Sequence, residues 1–154
     1  MMLRHIHKVG ASFYVAWGVV RITEGALILA ALRVSGGLAV LHMIGSGLGP
    51  GRQVVASHEI IDAMLGIYGW TSVGLGILVV SVAARLNWRN SLVGFWLSLG
   101  IMATADLGLL FFLVAPGVTY VWEVTLGPVV WITGLILMTI ARHPTVAKII
   151  AEST

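Results

Sequence analysis

Five of the six acidic residues, Glu24, Glu59, Asp62, Asp106 and Glu123, lie inside or at the rim of long apolar runs, and only Glu152 sits in a polar tail. A carboxylate facing hydrocarbon is unfavourable, so intramembrane acids turn toward protein or water and mark proton relays, ion sites or reactive pockets. The stretch VVASHEIIDAMLGIYGW, Val54–Trp70, holds two of them and a histidine. His58 and Asp62 are four apart and Glu59 and Asp62 three apart, spacings that share one helix face. Gly66, Gly69 and Trp70 extend that stripe. In the first run, Trp17, Arg21 and Glu24 are separated by four and three, which sets a guanidinium beside a carboxylate. Asp106 shares a face with Leu99 and Met102, and Glu123 with Thr119, Tyr120, Gly127 and Gly134.

Several chemistries fit such residues. A histidine and a carboxylate one turn apart form half of a metal site, but only His42 could add a second imidazole, so no metal is expected. Arg21 beside Glu24 either keeps a working carboxylate ionised or fixes helix register as a buried pair. Asp106 has no cation within a turn on its own helix. Unless another helix supplies one, burial would keep it neutral, making it a proton donor or simply a packing contact. Trp17 and Trp70 lie on the acid-bearing faces, where their rings could stabilise a developing cation. Trp88 and Trp122 fit an interfacial belt, and the other tryptophans fill space.

The elements that must position these groups follow from composition. The chain of 154 residues is 58% hydrophobic and 10% charged, against roughly 25% charged in a soluble domain. Four apolar runs, Val9–Leu32, Val54–Ala84, Ser91–Ala115 and Thr119–Ala141, each meet the need for roughly 20 residues to span a bilayer. Period-2 alternation is absent, which excludes a barrel. The expected fold is an all-α integral membrane protein, a single four-transmembrane-helix bundle over residues 1–154. The basic start and first apolar run resemble a signal sequence, but Arg21 and Glu24 interrupt the run and no cleavage site follows, so it reads as a retained helix.

Arg4, Lys8, Arg85, Arg89, Arg142 and Lys148 flank one side of the runs, and Arg33 and Arg52 the other. The positive-inside rule then places both termini in the cytoplasm, in an inner (plasma) membrane of bacterial or archaeal type. The first outer loop carries glycines at 36, 37, 45, 47, 49 and 51, with LAVLHMI as a short interfacial helix or cap between them. Pro128 either kinks or begins the fourth helix. There is no cysteine, no nucleotide-binding loop, no haem-spaced histidine pair, and no basic face interleaved with aromatics to bind nucleic acid.

Counted along straight helices, Glu24, Asp62, Asp106 and Glu123 fall roughly 6–14 Å below the outer ends of their segments. Four acids at one level predict a polar chamber with an apolar floor, suited to a lipophilic or amphiphilic small molecule. The leading expectation is a cofactor-independent intramembrane enzyme for isomerisation, cyclisation or epoxide opening. Asp106 would donate the proton and Asp62, poised by His58, would act as base. Arg21 would hold Glu24 ionised and Glu123 would close the site. Trp17, Trp70, Tyr120, Met102 and Glu59 would bind the substrate. The alternatives are proton-coupled transport of a cationic or amphipathic solute, as a homo-oligomer, and an accessory subunit of a larger membrane complex.

Overall fold

A computed structural model describes residues 5–45 and 57–143, apart from the side chains of Trp122 and Glu123. Every regular element among them is helical: α1 (Ile6–Ile44), α2 (His58–Arg85), a 3-10 turn (Asn87–Arg89), α3 (Leu92–Leu109), a π-helical turn (Leu110–Val114), α4 (Val121–Val124) and α5 (Leu126–Arg142). Three stretches are long and apolar enough to cross a membrane, namely Ile6–Ile44, His58–Arg89 and Leu92–Val114. The expected fourth segment is not one helix. A short turn precedes the 17-residue α5, where Pro128 occupies the third position. There its missing N–H costs no helical hydrogen bond, so Pro128 begins this helix and does not kink it.

At 39 residues, α1 would reach about 58 Å if straight, far beyond a bilayer core. It is broken at Gly36, whose φ of 73° and ψ of 164° are open only to glycine. Residues 37–44 then form the short helix that the glycine-bounded LAVLHMI pattern predicts; residues 46–56 of the same loop lie outside the description. The restarted helix needs an acceptor for its first N–H groups. Asp62 supplies it from α2, its Oδ1 accepting from the Gly37 N–H at 2.5 Å.

Glycines set the spacing of α1 and α2. Gly25 faces Gly69 and Gly18 faces Gly76, each pair seven residues along from the other. A β-carbon at Gly25 would stand 2.4 Å from the Gly69 carbonyl oxygen, and one at Gly76 2.5 Å from that of Gly18. Small residues of this kind let membrane helices approach backbone to backbone, where packing rather than water drives association. On another side of α1, Gly134 of α5 packs against the Tyr14 ring. Tyr14, Trp17, Val79, Phe95, Met102 and Met138 fill the shared core.

One end of the bundle is locked by basic side chains. Arg142 Nη2 donates to the Ser91 carbonyl at 2.8 Å, and its guanidinium lies 4.6 Å from the Phe95 ring centre. Lys8 Nζ stands 5.9 Å over Trp88. Asn87, buried in the turn, donates to Ser98 Oγ at 2.7 Å. The start of α1, the α2–α3 turn and the end of α5 therefore share one end.

Candidate functional site

Trp17, Arg21 and Glu24 occupy one face of α1, as their spacing requires. Gly25 directly follows Glu24 and Gly69 directly follows Tyr68. The close approach of those two glycines brings the side chains beside them together: the Tyr68 hydroxyl donates to Glu24 Oε1 at 2.6 Å. Glu24 Oε2 accepts from Arg21 Nη1 at 2.7 Å. Helix periodicity thus supplies one half of the site and the glycine contact the other.

Asp106 arrives on the buried stripe Phe95, Ser98, Met102, Asp106 of α3. It is 2% exposed, and the condition left open by its sequence is answered from α1. Arg21 Nη2 donates to its Oδ1, while its Oδ2 accepts from the indole N–H groups of Trp17 at 3.2 Å and Trp131 at 2.6 Å. Both oxygens of this carboxylate are thus engaged, by a guanidinium and two neutral donors. Its geometry is that of an electrostatic anchor. Arg21 is itself buried and stands 5.1 Å from the Trp17 ring centre, and its Nε is left without an acceptor among the described residues.

Cavities surround this cluster. One, about 350 Å³, lies between α2 and α3 and is bounded by Arg21, Tyr68 and an otherwise uncharged wall that includes Phe112. A second, about 300 Å³, is almost wholly apolar and runs from Tyr68 to Leu41 and Ile44 of the short helix. Two smaller ones, about 210 and 270 Å³, reach Glu24. Tyr68 borders three of the four and Glu24 two, so these groups meet open space while Asp106 does not. The π-helical turn contributes here: its wider winding carries Leu113, which lines three of the cavities.

The remaining expected site residues lie elsewhere. His58 and Glu59 are exposed in the first turn of α2, where a carboxylate favours the helix N-terminus. Asp62 is exposed and engaged in capping Gly37. Because α2 is described from His58, Asp62 stands only one turn from its end, well above Glu24. Trp70 is 73% exposed. Successive i+4 steps advance about 40° around a helix, so the row from Asp62 to Trp70 turns away from the buried row Ile61, Gly69, Ser72, Gly76. Met102 is fully buried core and borders no described cavity, and Tyr120 is exposed. Glu123 has a described backbone in α4, but its side chain lies outside the description. Among the described residues the acids that meet are Glu24 and Asp106, around Arg21, while Asp62 stands apart at Gly37. Among the described residues no three His, Asp or Glu side chains are placed to share a metal ion.

Two members of the cluster were not anticipated, Tyr68 and Trp131. Both are amphipathic aromatics within apolar runs, whose polar tips need partners when buried. That need was the available signal, but nothing in the sequence indicates which acid each would reach. No family model, curated protein or solved structure matches the chain.

Proposed function

We propose that this protein is an intramembrane acid–base enzyme acting on a lipophilic small molecule, with Tyr68 as the proton-transferring group and Glu24 as the carboxylate behind it. The observation that carries this reading is the position of the Tyr68 hydroxyl. It is hydrogen-bonded to an ion-paired carboxylate and also borders apolar cavities between apolar helices. As the phenolic oxygen takes a proton from a ligand carbon, Glu24 takes the phenolic proton. Return of the proton to a different carbon gives an isomer, with no net change in protons or electrons and no demand for a cofactor. Asp106, itself held by Trp131, keeps Arg21 in place, and Arg21 keeps Glu24 aimed at Tyr68.

Neutral lipids from cells producing the wild type and the Tyr68→Phe variant test this. The wild type should shift the ratio of at least one pair of equal-mass isomers. Tyr68→Phe should abolish the shift, since removing a general acid–base group costs about 10²–10⁴ in rate. Lipid profiles identical across wild type, variant and empty cells would defeat the proposal.

The same reading places α5 as a fourth crossing, with the basic end of the bundle and both termini on the cytoplasmic side. The 17 residues of α5 give about 26 Å, near the short limit for a span, and the clustered Lys and Arg support the orientation. The chain has no cysteine, so single introduced ones report cleanly. In intact cells a membrane-impermeant maleimide should label Ser35→Cys and reach Arg89→Cys only after lysis. The reverse pattern would invert the topology.

A further inference from the structure

Hydroxyl groups on apolar helices normally satisfy themselves by donating to the carbonyl four residues back, because hydrocarbon offers no other acceptor. Ser12, Thr23, Ser81, Thr125, Thr133 and Thr139 all do so, at 2.6–3.0 Å. Thr71 of α2 and Thr104 of α3 do not, and neither finds another partner among the described residues. Both line the 350 Å³ cavity between those helices. Ser72 lines it as well. So does Arg21, the one charged residue in the wall. Two uncommitted hydroxyls on two helices thus border one cavity, beside Arg21 and Tyr68, in a wall that is otherwise mostly apolar.

We infer that the α2–α3 cavity, bordered by Thr71, Thr104, Tyr68 and Arg21, binds a neutral lipophile that carries a carbonyl or similar acceptor oxygen. This rests on the acid–base reading above and names the substrate class for it. Each leftover hydroxyl has an O–H that no carbonyl takes, and an acceptor oxygen on the ligand satisfies it. Arg21 already faces two carboxylates, which disfavours an anionic head group, and it is the charge nearest the cavity, which disfavours a cationic one. The apolar remainder of the wall, ending at Phe112, takes a hydrocarbon body. A volume of about 350 Å³ falls at the small end of ligand sites, roughly 300–1,000 Å³. A carbonyl seated there also acidifies its neighbouring C–H bonds, the bonds from which the Tyr68–Glu24 pair would remove a proton.

The test uses the full chain in lipid nanodiscs, with four probes of matched length: 2-undecanone, undecane, undecanoate and undecylammonium, each followed by native mass spectrometry. The ketone should be retained in preference to the other three. Thr71→Val/Thr104→Val, which preserves shape on exposed positions, should weaken ketone retention about ten-fold. Thr133→Val, which removes only a back-bonded hydroxyl, should leave it unchanged. Equal retention of undecane, or a ketone signal indifferent to the double variant, would overturn the proposed ligand class while leaving the isomer shift of the wild type standing. Preferential retention of undecylammonium would also overturn it and favour a cation-binding site. Specific ketone binding with no Tyr68-dependent isomer shift would keep this site and defeat the enzymatic reading.

Discussion

Arg21→Met is expected to be among the most destabilising single substitutions in the chain. It strips the cation from two carboxylates at once and leaves Asp106, 2% exposed, with only the Trp17 and Trp131 N–H groups. Breaking a buried pair by removing one partner costs about 3–5 kcal/mol, chiefly because an uncompensated charge stays behind. Equilibrium unfolding in mixed micelles should show a loss of that size. The double variant Arg21→Met/Asp106→Asn should recover a substantial part of it, since the remaining amide oxygen still accepts from both indoles. A single variant as stable as wild type would mean that Asp106 is not held as an anion. A double variant no better than the single would mean that the damage comes from lost packing against Trp17.

Gly25→Ala is expected to have the next largest effect, on stability and on the site together. The added carbon meets the Gly69 backbone oxygen, which cannot swing aside as a side chain can. Overpacking of this kind costs about 1–3 kcal/mol, and here it also forces α1 and α2 apart between Glu24 and Tyr68. A 2.6 Å hydrogen bond does not survive a displacement of an ångström. Gly74→Ala, where nothing lies within 4 Å, should be neutral or slightly stabilising, because alanine favours a helix by about 1 kcal/mol. The pair of variants separates close packing from helix propensity. Equal effects at both positions would remove the glycine contact as the device that builds the site.

The legible part of this structure is the part that rests on one helix at a time. Apolar runs gave the long helices, and the spacing of Trp17, Arg21 and Glu24 gave their common face. The shared face of Met102 and Asp106 followed the same period, and the glycine-bounded LAVLHMI segment read as a short helix. What was hidden depends on which helix meets which. The Arg21 partner of Asp106 lies 85 residues away, and no local pattern in α3 could announce it. The same holds for the pairing of Tyr68 with Glu24, which a glycine contact between two helices creates. Asp62 misled for a geometric reason. Its depth was counted from Val54 and its row was extended straight, whereas the described helix begins at His58 and an i+4 row winds around the axis. Its true partner is a backbone N–H exposed by the break at Gly36, a feature visible only once the chain has turned.

The most direct test of Tyr68 and Glu24 as a proton-transferring pair is isotope incorporation. Membranes carrying the wild type, Tyr68→Phe or Asp62→Ala would be incubated in D₂O, and their neutral lipids examined for deuterium bound to carbon. Wild type and Asp62→Ala, in which only a helix cap is lost, should both incorporate label above empty membranes, and Tyr68→Phe should fall to background. Label undiminished in Tyr68→Phe, or lost only in Asp62→Ala, would contradict the account.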